Sequence, residues 1–181
     1  MNTTANSPAP TLPTDEHADL LEALDKHRGF LRLTTRELTD EQAGRRTTVS
    51  ELCLGGLIKH VTAMEHNWVE FIRIGTSAMP DFTAMTEDDW ARRADEFRML
   101  PGETLADVLD AYERTAARTT EVVAALPDLS VSHPLPKAPW FEGEASWSAR
   151  RVLMHIIGET AQHSGHADIL REALDGAKSM G

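Results

Sequence analysis

The chain has 181 residues, a formal net charge of −11 at pH 7 and one cysteine. Its length fits one domain with a hydrophobic core of its own. The negative charge would repel a phosphate backbone or an anionic bilayer, so nucleic acid and membrane are not expected partners. Because the single cysteine, Cys53, permits no internal disulfide, we expect a reducing compartment.

The N-terminal segment, residues 1 to 13, contains three prolines among small polar residues and is predicted to be a disordered leader. It lacks a basic stretch followed by an apolar one, and no apolar run elsewhere has the length of a membrane span. We therefore expect a cytoplasmic protein. A single domain over residues 14 to 176 and a flexible tail over residues 177 to 181 complete the expected organisation.

Apolar residues at helical spacing predict two long helices in the first half of the chain. The first is expected to follow a cap at Thr14 and to extend to about residue 38. Thr48 and Glu51 have the spacing of a capping box, which predicts that the second helix begins there. Gly75 is its predicted end.

The middle of the chain is less regular. Residues 76 to 101 contain one predicted short helix, at about residues 86 to 90, and a third long helix is predicted over residues 104 to 126, where Pro127 ends it. The segment from 128 to 146 has three prolines and a glycine and is predicted to be a long loop. Long loops in compact domains often cover a site.

The last predicted helix covers about residues 148 to 174 and ends at Gly176. No strand is predicted. Four long amphipathic helices, joined by long connecting loops, predict an all-α protein, a four-helix bundle. Such bundles build their sites from side chains on facing helices.

The last helix contains a stripe of polar side chains. His155, Glu159 and His163 are four residues apart and lie on one helix face, and His166 follows three residues later. Apolar residues are expected to flank this stripe and to place it near the bundle interior: Val152, Ile156, Ile169 and Leu170. A buried imidazole or carboxylate needs a hydrogen bond, a proton or a metal ion.

Glu159 and His163 can share one metal ion, and the best third ligand is His60, on the core-facing side of the second helix. Two imidazoles, one carboxylate and an open position suit Zn²⁺, Ni²⁺ or Fe²⁺. The alternative is a row of hydrogen-bonded core residues, which is the commoner role of a histidine on an apolar helix face. Cys53 is expected to be a small core residue and not a nucleophile.

Three tryptophans, Trp68, Trp90 and Trp147, are expected to be packing anchors and not substrate platforms. Only four of the 18 basic residues are lysines. This excess of arginine indicates a bacterium with a high-GC genome.

Two segments carry a resemblance to a known superfamily. GLIKHVTAMEHNWVEF resembles the second helix of DinB-like proteins, with His60, Glu65 and Trp68 in the motif positions. WSARRVLMHIIGETAQHSGHADILREALDG is similar to the last helix of one actinobacterial branch, and the stretch from Pro101 to Thr104 resembles the start of that branch's third helix. The resemblance covers about residues 15 to 176, and the chain is identified as a DinB-like protein.

The resemblance implies a four-helix bundle, often a homodimer, that holds a divalent metal through His60, Glu159 and His163. Many relatives have three histidines, whereas Glu159 matches the related mycothiol-dependent maleylpyruvate isomerases, so the choice of metal stays open. His155 and His166 are then neighbours that orient a ligand or receive a proton.

The resemblance also implies a function. Characterised relatives use the metal to activate a low-molecular-weight thiol, and a thiol on a divalent cation loses its proton near neutral pH. We predict a metal-dependent thiol S-transferase or isomerase that acts on a small-molecule thiol, mycothiol in a high-GC bacterium, and an electrophile. Two alternatives use the same fold: a non-catalytic metal-binding or stress-related interaction protein, and a metal-assisted hydrolase.

Overall fold

The computed structural model describes residues 15 to 141 and 145 to 179. The predicted leader, the Thr14 cap and the last two residues of the predicted tail lie outside this part, so the division into leader, domain and tail stays a prediction. Within the described residues, no helix has the length and apolar character needed to cross a membrane.

Four long helices form the bundle and confirm the predicted all-α fold. The helices, in chain order, are α1 (Glu16–Leu33), α2 (Asp40–Ala43), α3 (Leu54–Ile74), α4 (Glu87–Ala94), α5 (Leu105–Ala124) and α6 (Ala149–Asp175). Two 3-10 turns lie at Gly75–Ala78 and Asp95–Phe97. The helix α3 packs against both α5 and α6, and α1 packs against α6.

The first helix is shorter than predicted. Asp15 caps it by accepting a hydrogen bond from the backbone N–H of His17, and it ends at Leu33 instead of residue 38. The hydroxyls of Thr34 and Thr35 donate to backbone carbonyls three residues back, and Glu37 has a φ of 58°. This left-handed conformation is incompatible with a continuing helix.

The predicted capping box at residues 48 to 51 is wrong. The Thr48 hydroxyl accepts from the backbone N–H of Ser50, and the Ser50 hydroxyl accepts from the backbone N–H of Leu52, so both make local turns. The helix α3 begins at Leu54 with no side-chain cap. Its predicted end is confirmed, because Gly75 follows Ile74 with a φ of 70°.

The ends of the other two long helices agree with the predictions. Thr104 caps α5 by accepting from the N–H of Asp107, and Ser148 caps α6 by accepting from the N–H of Arg151. Gly176, with a φ of 80°, ends α6.

The prediction of no strand is wrong. A short antiparallel pair joins β1 (Ser132–Pro134) to β2 (Ser146–Ser148), with His133 opposite Trp147. Three-residue strands are too short to show a periodic pattern, and Pro134 argues against a strand in sequence. A ring nitrogen of His133 is hydrogen-bonded to the carbonyl of Ile72 at 3.1 Å, which ties the strand pair to α3.

Of the residues expected to be in the core, Ile169 is the exception. Cys53 is buried, as expected of a packing residue. Ile169 is 63% exposed, so the expectation that it flanks the polar stripe from inside is wrong. The helix turns this position to solvent, while Val152, Ile156 and Leu170 are buried.

Two glycines let a loop approach α3 closely. A Cβ on Gly56 would overlap the backbone carbonyl of Phe97, and one on Gly55 would overlap the Met99 side chain. Lys59, one turn later, donates to the carbonyls of Asp95 and Arg98. The turn Asp95–Phe97 is thereby held against the part of α3 that carries His60.

We expect Gly56→Ala to lower the free energy of unfolding by about 1–3 kcal/mol, because the added methyl group must displace backbone. Urea denaturation measures the change. Gly158→Ala is the matched control: it also adds a methyl group within a helix, but no atom lies within 4 Å of its Cβ, so a gain of up to about 1 kcal/mol is expected. Equal effects of the two substitutions would contradict the close approach.

A buried ion pair joins three of the long helices. Arg28 of α1 donates from Nε to Glu65 of α3 at 3.2 Å and from Nη2 to the second carboxylate oxygen. Thr119 of α5 donates its hydroxyl to the same carboxylate. All three side chains are buried. Burial opposes the charge on Arg28, but the hydrogen bond and the charge of Glu65 outweigh it and raise the pKa of Arg28.

We expect Glu65→Gln to destabilise the fold by about 3–5 kcal/mol, because it keeps the side-chain shape and leaves the buried Arg28 charge with only the largely exposed Asp25 as a partner. Thermal and urea unfolding give the size of the loss. Glu113→Gln removes one carboxylate from the exposed pair with Arg32, so a loss below about 1 kcal/mol is expected. A Glu65 variant as stable as the Glu113 variant would refute a structural role for the buried pair.

Candidate metal centre

The structure brings the three predicted ligands together. One donor atom each from His60 on α3 and from Glu159 and His163 on α6 lie within 4.8 Å of one another. The Nε2 atom of His163 is 3.7 Å from Oε2 of Glu159. His60 is buried, and the other two side chains are partly buried.

Packing fixes the ring of His60. It stacks on Phe97 at a centroid distance of 4.0 Å, and its edge meets the His163 ring at 4.9 Å. Phe97 belongs to the turn that Gly56 allows to approach α3. The close approach of this turn therefore orients a predicted ligand.

Two observations fit a cation at this cluster. Among the described residues, Nδ1 of His60 is buried without a hydrogen-bond partner, since the nearest carboxylate oxygen, from Glu96, is 3.7 Å away. Burial, together with the neighbouring His60 ring, lowers the pKa of His163 to about 4. A neutral imidazole keeps the lone pair that a metal requires. The donor set of two nitrogens and one carboxylate suits Zn²⁺, Ni²⁺ or Fe²⁺.

The other two histidines of the stripe lie beside the cluster. Nδ1 of His166 is 3.4 Å from Nδ1 of His163, a contact that leaves Nε2 of His163 directed at Glu159. The ring of His155 packs edge-on against Trp68 and Trp147, with centroid distances of 5.0 and 5.3 Å. Burial lowers the pKa of His155, which favours the uncharged form of this side chain.

A cavity of about 260 Å³ adjoins the cluster, and His60, His155 and Glu159 all line it. Sequence reasoning missed several further residues of its wall, among them Asn67, Phe82, Arg93, Glu96, Trp140 and Phe141. Trp140 and Phe141 lie in the proline-rich segment that was expected to cover a site. The others come from α3, the turn Asp95–Phe97 and the α3–α5 connection, where no periodic pattern marked them.

The tryptophans only partly match their expected role. Trp68 and Trp147 stack on each other at 4.9 Å, as packing anchors do, but both also line the cavity. Trp90 is 40% exposed and packs only at the surface, against Trp140 at a centroid distance of 6.5 Å. The short helix α4 lies on the surface and buries none of its residues.

The lowered pKa of His163 predicts a pH dependence of the metal-free protein. In the unfolded chain the ring has its ordinary pKa of about 6.5, so the unfolded state binds a proton as the pH falls below this value. The folded state binds the same proton only at about pH 4, and between these two pH values protonation favours the unfolded state. The free energy of unfolding should therefore fall as the pH drops from 6.5 to 4. Urea denaturation at several pH values measures the free energy of unfolding. His163→Gln is the control, and its stability should fall less over the same pH range. An NMR-titrated pKa of His163 near 6.5 would contradict the assignment.

Comparison with known proteins places the chain in a family. Residues 19 to 176 match the model of the mycothiol S-transferase family. No curated protein matches the sequence.

Two solved structures share the fold. A conserved protein from Enterococcus faecalis superposes with a TM-score of 0.64 at 14% identity, over 90% of this chain and 98% of the other. YfiT from Bacillus subtilis, described as a probable metal-dependent hydrolase with an unusual four-helix bundle topology, superposes with a TM-score of 0.61 at 14% identity, over 91% of each chain.

The fold and the family match define a DinB-like four-helix-bundle protein, as the sequence predicted. Within that class, the chain belongs to the mycothiol S-transferase family.

Proposed function

We propose that this protein is a metal-dependent transferase that joins a low-molecular-weight thiol, mycothiol, to an electrophile, or isomerises a substrate through such a thiol adduct. The observation that carries the proposal is that the donor cluster opens onto a cavity. His60 and Glu159 belong to both the cluster and the cavity wall. A substrate in the cavity would thus reach the position that the three ligands share. The family match supports thiol transfer as the reaction.

Each polar residue has a role in this proposal. His60, Glu159 and His163 hold the cation, and His166 orients the ring of His163. A divalent cation bound there would lower the pKa of the substrate thiol, so that the thiolate is available near neutral pH. His155 lines the cavity in its neutral form and can receive the proton that the thiol loses.

The aromatic lining of the cavity favours transfer over hydrolysis. Five aromatic side chains line the cavity beside the ligands: Trp68, Phe82, Trp140, Phe141 and Trp147. An apolar lining of this kind favours an apolar substrate over water. A metal-assisted hydrolase would use the same ligands, and YfiT, which shares the fold, is described as a probable enzyme of that kind. The two reactions differ in whether a thiol is consumed.

Metal content tests the ligand set. We expect protein purified without chelator to contain about one divalent ion per chain, and we expect His60→Ala, Glu159→Ala and His163→Ala to lose it, because two remaining donors hold a first-row metal weakly. Mass spectrometry of the purified proteins gives the stoichiometry. The matched control is His66→Ala, which removes an exposed histidine from the same helix as His60. Equal metal content in all variants would refute the proposed ligands.

Thiol consumption tests the reaction. With mycothiol and a chromogenic electrophile, the ligand variants should lose at least about 100-fold in kcat/KM, because removal even of a group that only supports a metal ligand costs about 10–100-fold. The control variant, His66→Ala, should retain activity. Turnover of an ester or amide without thiol would identify a hydrolase instead. Full metal occupancy with neither reaction would favour a non-catalytic metal-binding or interaction protein. The homodimer and the cytoplasmic location remain predictions.

A further inference from the structure

Part of the cavity wall consists of four aromatic side chains that contact one another. Phe82, Trp140, Phe141 and Trp147 follow one another around it with centroid distances of 5.0, 6.2 and 5.8 Å. Neighbouring rings are inclined by 57°, 62° and 72°. These are tilted and edge-to-face arrangements, in which neighbouring aromatic rings pack favourably, and an aromatic ligand beside them can pack in the same way.

We propose that this aromatic wall, formed by Phe82, Trp140, Phe141 and Trp147, is the binding site for the electrophile, and that the electrophile is a planar aromatic compound with one ring conjugated to a carbonyl group. The inference rests on the proposed function for the reaction that follows binding. We assign the electrophile and not the thiol to the aromatic wall, because cellular thiols of low molecular weight carry polar and charged groups. The aromatic wall would remove water from these groups without offering them hydrogen bonds.

The cavity is large enough for one aromatic ring with a short side chain. An apolar cavity of about 150 Å³ in a protein interior holds benzene, and the present cavity measures about 260 Å³. The difference accommodates a short conjugated chain beside the ring.

The cavity also has polar groups suited to a carbonyl oxygen. The side chains of Asn67 and Arg93 line it, and the Arg93 guanidinium lies 5.5 Å from the centre of the Phe82 ring. Amide and guanidinium N–H groups donate hydrogen bonds, which would orient the carbonyl and draw electron density from the conjugated carbon–carbon double bond. The donor cluster, on the same cavity, places the thiol beside that bond.

The proposed reaction is a conjugate addition that balances without a further reactant. The thiolate sulfur forms a bond to the β-carbon, and the electron pair of the carbon–carbon double bond moves to the α-carbon. The α-carbon then takes up the proton that the thiol released. No oxidant is consumed and no group leaves.

A matched pair of enones tests the reactive part of the proposal. We expect the zinc-loaded protein with mycothiol to catalyse addition to 4-phenylbut-3-en-2-one with a KM about tenfold lower than for pent-3-en-2-one, in which a methyl group replaces the phenyl ring. Trp140→Ala should raise the KM for the phenyl compound about tenfold and leave kcat within about twofold, since the aromatic contact is made in both the bound and the transition state. Equal KM values for the two enones would overturn the proposal.

A binding measurement separates this inference from the proposed function. Calorimetry with the unreactive 4-phenylbutan-2-one requires neither thiol nor turnover, and we expect Trp140→Ala to weaken binding about tenfold. Trp140 is 52% exposed, so its removal should spare the fold, which a thermal unfolding midpoint checks. Trp90→Ala is the control, since Trp90 is an exposed neighbour of Trp140 that does not line the cavity. If both variants bind the ketone as the wild type does, the aromatic site is overturned, even if thiol transfer is observed. If only Trp140→Ala loses binding, the aromatic site is supported, even if thiol transfer is absent.

Discussion

The buried ion pair between Arg28 and Glu65 is the interaction on which the arrangement of the bundle depends. It joins α1 to α3, and Thr119 adds α5 through the same carboxylate. A buried charge is tolerated only with its partner in place, so the helices cannot slide past one another without exposing an unpaired group. Glu65 lies five residues after His60 on α3, and the pair that fixes this helix therefore also fixes the depth of a predicted metal ligand.

A second constraint works at short range. Gly56 lacks the side chain that would keep the turn Asp95–Phe97 away from α3, and Gly55 makes room for the Met99 side chain that follows this turn. The approach places Phe97 on the ring of His60 and the carboxylate of Glu96 near the buried Nδ1 atom. A packing feature of the backbone thus determines the surroundings of the donor cluster, although neither glycine can contribute to its chemistry.

The candidate site has two parts with different origins. The donor cluster comes from two long helices, which are rigid supports for a metal. The aromatic wall comes mostly from connections, with Phe82 before α4 and Trp140 and Phe141 between β1 and β2. This division separates the part that would bind a cation from the part that would select a substrate. Relatives with the same four helices can therefore differ in the substrates that they accept.

The sequence alone determined the four helices and predicted the three candidate ligands, because helical periodicity, the four-residue spacing of Glu159 and His163 and the DinB-like motifs are local signals. It failed at Thr48 to Glu51, where side chains that could cap a helix form turns, and at the strands, which are too short to give a period. Only the tertiary structure decided that Trp140 and Arg93 share a cavity with His155, since long-range packing brings these segments together and no spacing along the chain encodes it. The same holds for the low pKa of His163, which depends on burial and on the nearby His60 ring from another helix.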